Sequence, residues 1–202
     1  MLISYYELCE LIEQGVVDAP MENVNKTSVN IRLDKDILVE SADAELVDLS
    51  HPKPSQRAFW IKEAIPSNGF IMAPGEFLLG KSIEKFRLPS HIACEFRLRS
   101  SMVRNFINTS LTSWSQPGWG SSSTTAARLT LGLQNVSNNH RVLLKYGVII
   151  GRMVFWKTDP VPKIESFNSG RRRKNTPLIK PSQQVIKNAV EPSQLGRRRL
   201  RL

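Results

Sequence analysis

An arginine, two adjacent hydroxyls and a second arginine stand close together at Arg99, Ser100, Ser101 and Arg104. Guanidinium forks pair with phosphate oxygens two bonds at a time, and small hydroxyls donate to the same oxygens, so the grouping suits a phosphate-rich ligand. It equally fits an ordinary polar strand end. The stretch before it alternates: Cys94, Phe96 and Leu98 point to one face of a strand, and Glu95, Arg97 and Arg99 to the other. Glu95 is therefore a carboxylate beside two arginines, an ion-pair partner first and a weak candidate base. A second alternation sets Leu129, Leu131 and Leu133 against Thr130, Gly132 and Gln134, a strand with one polar face. Two cysteines (Cys9, Cys94) and three histidines (His51, His91, His140) are scattered, so no metal held by protein ligands alone is expected.

These groups need a scaffold, and the punctuation suggests an all-β one. Ser4 and Glu7 have capping-box spacing, Leu8, Leu11 and Ile12 recur at helical intervals, and Gly15 supplies a stop, so the spacing predicts a short helix over Ser4–Gln14. Strands are expected at Thr27–Leu33, Ile37–Val39, Ala58–Ile61, Phe70–Met72, Phe77–Leu79, His91–Arg99, Val142–Leu144 and Val148–Trp156. Ile107–Ser113, β-branched and hydroxyl-rich, has the same character, and Met102–Asn105 reads as a helical turn. Turns fall at Ala73–Glu76, Gln116–Gly118 and Tyr146–Gly147, and Gly120–Ala127 reads as an exposed loop. Short strands at regular spacing with Gly/Pro turns indicate a barrel or sandwich. Trp60, Trp114, Trp119 and Trp156 read as packing groups, and His140 as a solvated turn residue.

Charge divides the chain. Residues 163–202 hold 11 of the 28 Lys/Arg and 2 of the 18 Asp/Glu, a net +9, which leaves the rest near neutrality at +1. Residues 1–160 form the expected domain; 161–202 read as a basic extension too poor in apolar residues to build a core. Its cations cluster at Arg171, Arg172, Arg173, Lys174 and at Arg197, Arg198, Arg199, Arg201, a pattern suited to nucleic acid or another polyanion, or to a solvated tail. No segment has the length and apolarity of a membrane span or the pattern of a secretory signal, and cysteine usage suits a reducing compartment, so a cytoplasmic, membrane-free protein is expected.

The ordered set Ser28–Leu33, Ala73–Phe77, Leu88–Pro89, Arg99–Arg104, Pro117–Trp119, Leu129–Asn135, Gly147 and Ile150–Gly151 resembles the dCTP deaminases, relatives of the trimeric dUTPases. The resemblance covers roughly residues 1–157 and implies a distorted jelly-roll or β-barrel, a homotrimer, and nucleotide sites between subunits. It places the triphosphate of a dCTP- or dUTP-like nucleotide on Arg99, Ser100, Ser101 and Arg104, with magnesium accompanying the phosphates. Base and sugar would face the segment holding Asn108, Thr112 and Ser113. The implied deaminase chemistry replaces the cytosine 4-amino group by water that a glutamate activates; the dUTPase chemistry uses an aspartate.

The departures fall on those carboxylates. Gly132 stands where the deaminase glutamate is expected, Gln116 where the dUTPase-type aspartate precedes Pro-Gly, and Asn30 where an early aspartate is usual. A glycine moves no proton, and loss of a positioned base costs about 10²–10⁴-fold. Two readings follow: a divergent enzyme of dCTP-to-dUTP metabolism, or a catalytically inactive trimeric scaffold, structural or regulatory, whose basic tails bind nucleic acid.

Overall fold

Helix α1 (Tyr5–Glu13) begins at the expected cap: Ser4 is extended, and its N–H reaches Glu7 Oε2 at 3.5 Å. Leu8 and Leu11 form its buried stripe, and Gly15, at φ +69°, ends it. The computed structural model describes residues 1–41, 59–109, 114–121 and 124–160. Thr112, Ser113 and the basic extension lie outside them. Strands follow as β1 (Val17–Asp18), β2 (Val29–Arg32), β3 (Asp36–Glu40), β4 (Trp60–Ala64), β5 (Phe70–Met72), β6 (Phe77–Phe86) and β7 (Ile92–Leu98). Helix α2 (Ser100–Arg104) leads into β8 (Ile107–Thr109), then β9 (Trp114–Ser115), β10 (Ala127–Asn135), β11 (Val142–Leu144) and β12 (Ile149–Lys157).

The all-β expectation holds, with the strands forming stacked sheets in jelly-roll-like fashion rather than one closed barrel. One sheet runs β2–β12–β7–β9; a larger one runs β4–β3–β6–β10–β8, with β1 added to β6; β5 and β11 pair by themselves. Alternation explains the stacking. Val29, Ile31, Phe96, Met153 and Phe155 from the first sheet and Leu78, Phe86, Leu131 and Leu133 from the second are buried in one cluster. The rings of Phe86 and Phe155 meet across it at 6.4 Å. Trp119 stacks on Phe86 at 5.4 Å, so it packs as expected, and the turn that carries it closes through Trp119 N–H to the Gln116 carbonyl at 3.1 Å. Trp60 packs against Phe77 with ring centroids 5.9 Å apart, whereas Trp114 is half exposed.

The main difference from expectation is β6. The sequence predicts a strand only over Phe77–Leu79, yet ten residues pair. Its inner face is Leu78, Gly80, Ser82, Glu84 and Phe86, all buried, so the alternation continues with polar residues pointing inward. Each is satisfied. Ser82 Oγ donates to the Glu84 carbonyl at 2.6 Å and accepts from Leu129 N–H at 2.9 Å. Glu84 accepts from Arg32 Nε at 2.7 Å, Arg32 N–H at 2.8 Å and Asn23 Nδ2 at 3.1 Å. Gly80 leaves room for Leu33, whose Cδ1 would lie 2.6 Å from a Cβ there. The β4 strand is also displaced from the expected Ala58–Ile61; Ala58 lies outside the described residues, and pairing with β3 runs on to Ala64.

The chain's first residues join its last strand. Leu2 bridges Trp156, Lys157 N–H donates to the Met1 carbonyl at 2.7 Å, and Lys157 Nζ pairs with the Glu7 carboxylate.

Candidate nucleotide site

The Arg-Ser-Ser segment is fixed by backbone rather than by its own side chains. Arg99 is extended at the mouth of α2, and its N–H donates to the Ile150 carbonyl at 3.0 Å, which ties the segment to β12. Its carbonyl accepts from Met102 N–H at 2.9 Å, and the helix closes when Asn105 Nδ2 donates to the Ser101 carbonyl at 2.7 Å. Arg99 and Ser101 are half-buried, Ser100 and Arg104 exposed. Among the described residues neither Arg99 nor Arg104 makes an ion pair, and α2 carries no acid in its first turn. Two arginines and two hydroxyls within six residues, with no ion pair to either arginine among the described residues, are a composition suited to an anion.

Helix α2 hands the chain to β8 through a single unusual residue. Phe106 has φ +67°, a left-handed conformation that costs a residue with a Cβ about 1–2 kcal/mol. Its ring stacks on His140 at 5.3 Å and 21°, so the histidine expected to be merely solvated is exposed but stacked. Beyond it, Asn108 lies opposite Gln134 and Ile107 opposite Asn135. Since Ile107 and Asn135 are buried, Phe106, Asn108, Gln134 and Val136 share the outward face of the sheet. Gly132, two residues before Gln134 and paired with Leu79, belongs to that face. The candidate base-facing residue Asn108, exposed, and the buried glycine in the glutamate's place thus lie on adjacent strands with the same parity, two residues apart in register. Asn108 Oδ1 accepts from Thr109 N–H at 2.8 Å, and Thr109 Oγ1 is buried without a partner.

Glu95 is not among them. Its carboxylate bonds Arg97 Nη2 at 3.0 Å, the ion pair that alternation anticipates, and β7 belongs to the other sheet. Gly132 lies on β10, in the larger sheet. Gln116 is exposed in its turn. Asn30 has a neutral structural bond instead of a charge: its Oδ1 accepts from Asn25 Nδ2 at 2.9 Å. The Phe106–His140 stack carries no sequence signal, because no glycine or asparagine marks the left-handed position.

The Arg99–Arg104 segment follows β7 of one sheet and leads through α2 into β8 of the other. A family model described as dCTP deaminase-like matches residues 2–158, and the chain belongs to that family. Among curated relatives, a dUMP-forming dCTP deaminase of Sulfurihydrogenibium sp. is 26% identical over 162 residues, covering 79% of this chain and 85% of the relative. A protein of the same name from Dictyoglomus thermophilum is 28% identical over 164 residues, covering 78% and 80%. Of solved structures, the 2'-deoxycytidine 5'-triphosphate deaminase from Agrobacterium tumefaciens superposes with a TM-score of 0.66 at 22% identity, over 80% of this chain. The match spans 50% of that longer chain, and at this identity it speaks for the fold.

Proposed function

We propose that this protein binds a dCTP- or dUTP-like nucleotide at the junction of subunits in a homotrimer, and that it has lost the usual means of activating water there. The observation that carries the reading is the composition of the β10 outward face, where Gly132 stands between Thr130 and Gln134, set beside a retained Arg99–Arg104 segment. Arg99 and Arg104 would take phosphate charge, Ser100 and Ser101 would donate to phosphate oxygens, and Asn108 would face base or sugar. Deamination adds water at cytosine C4 and expels ammonia, so some group must take the water's proton and protonate the leaving amine. Neither Gly132 nor Gln116 has a proton-accepting side chain at neutral pH. A magnesium ion accompanying the nucleotide would be held by the ligand's own phosphates and water.

Incubating purified protein with dCTP and with dUTP, following ammonia, pyrophosphate and dUMP, tests this directly alongside calorimetric binding. Binding without turnover is expected. Robust turnover, or absence of any nucleotide affinity, overturns it. Gly132→Glu then asks whether the returned carboxylate restores a measurable rate.

A second reading is favoured by the charge division. A trimeric structural or regulatory scaffold carrying three extensions of +9 each would bind polyanions multivalently, with affinity falling steeply in salt. No described helix is long and apolar enough to cross a membrane.

A further inference from the structure

Phe106 is an expensive residue in an exposed place. Glycine would adopt φ +67° freely, yet a phenylalanine is held there and remains 40% exposed, its ring stacked on exposed His140. The stack lies in a small apolar border. Val136, 51% exposed, sits across the strand pair, its N–H donating to the Phe106 carbonyl at 2.8 Å. Val103, 58% exposed, forms the turn with Phe106 N–H at 3.2 Å. Cations flank it on both chain segments: Arg104 before Phe106 and Arg141 after His140, both exposed and neither ion-paired among the described residues. Nothing in the core requires this arrangement, since Ile107 and Asn135 next to it already fill the inward positions.

We infer that the Phe106–His140 stack is a base-stacking platform for single-stranded nucleic acid. Aromatic faces flanked by cations accept bases of any sequence, while the cations follow the phosphates. Charge complementarity selects this occupant. The extension from residue 163 brings a net +9 but only one aromatic, Phe167, so it supplies phosphate neutralisation without stacking. The folded domain is nearly neutral and supplies the rings. The platform shares Arg104 with the nucleotide site proposed above, and it rests on the second reading for the remaining phosphate contacts.

Phe106→Gly separates binding from folding, because it removes the ring while relieving the backbone. Full-length wild type and variant are titrated into a fluorescein-labelled oligothymidine and into a duplex of the same charge, at about 50 and 200 mM salt. Wild type is expected to bind the single strand; Phe106→Gly should weaken that binding roughly 5- to 100-fold, leave duplex binding within about twofold, and keep or raise Tm. Phe106→Trp should restore single-strand affinity. A full-length variant with Arg171, Arg172, Arg173, Arg197, Arg198 and Arg199 changed to Gln should weaken both ligands alike and flatten the salt dependence, which tests the extension separately from the platform. Equal single-strand affinity of wild type and Phe106→Gly overturns the proposal, as does no single-strand binding by wild type. A change in oligomeric state of Phe106→Gly by light scattering also overturns it, since the patch would then be a contact between copies.

Discussion

Replacing Glu84 by Gln should unfold this domain far more easily than a one-atom change suggests. The Glu84 side chain is fully buried, and its partner Arg32 retains 27% side-chain exposure. Oε1 accepts from Arg32 Nε and Asn23 Nδ2, and Oε2 accepts from Arg32 N–H, so every contact is a donor aimed at a carboxylate. Glutamine has one oxygen. Placed at Oε1 it keeps two bonds and sets its NH₂ against the Arg32 amide; placed at Oε2 it opposes two donors instead. The first arrangement is cheaper and still orphans one donor, at about 1–3 kcal/mol. Removing one member of a buried pair costs about 3–5 kcal/mol, less here because Arg32 keeps access to water. The two considerations meet at about 2–4 kcal/mol, or roughly 5–15 °C in Tm for a domain of this size. Urea unfolding followed by tryptophan fluorescence, at fixed protein concentration, measures it as a lower midpoint with unchanged slope. Glu84→Leu combined with Arg32→Met should cost less than the sum of the two single changes. A loss below about 1 kcal/mol for Glu84→Gln would refute the view that this carboxylate clamps β2 and the preceding turn to β6.

Two glycines with the same backbone sign should respond differently to alanine. Gly75→Ala, φ +80° with open space around it, should lose only about 1–2 kcal/mol, whereas Gly120→Ala places a Cβ 2.2 Å from the Phe86 carbonyl and should exceed about 3 kcal/mol in the same urea assay. Burial pushes the Cys94 thiol up to about 12, opposed by a weaker hydrogen bond with Ser115. Its contribution to stability is therefore complete below the ordinary 9.0 and lost as pH rises from there toward 12, so Cys94→Ala should flatten the alkaline fall in Tm, and native Cys94 should resist thiol reagents until denaturant is added. The hydrogen bond from Lys157 holds the Glu7 carboxyl below its ordinary 4.5. That stabilisation is present above the ordinary value and lost as pH falls through the lowered one, so the Tm gap between wild type and Glu7→Gln should close on acidification.

Elements were legible wherever burial and polarity alternate in step. Leu129, Leu131 and Leu133 announce β10 and thereby put Gly132 on the outward face, and the Ser4–Glu7 spacing announces α1. The second half of β6 was hidden because Ser82 and Glu84 point inward, where a hydrophobic pattern has no symbol for a polar group whose partners come from distant strands. Val17–Asp18 and Trp114–Ser115 are too short to show a period at all. Arg99–Arg104 stands out in the sequence by its chemistry, whereas the lack of an ion pair to Arg99 or Arg104 among the described residues is a tertiary fact. That Glu95 and Gly132 belong to different sheets is likewise a tertiary fact, since a one-dimensional pattern does not say which sheet a strand joins.

The seam between the first residues and β12 fixes the order in which this domain can be completed on a ribosome. Leu2 leaves the exit tunnel some 154 residues before Trp156, the residue it bridges, and Met1 likewise precedes Lys157. Until then α1 has no Lys157 for Glu7 and no sheet edge for its leading residues. Helix α1 and the residues leading into it therefore wait for β12 before their sheet edge and the Glu7 partner exist.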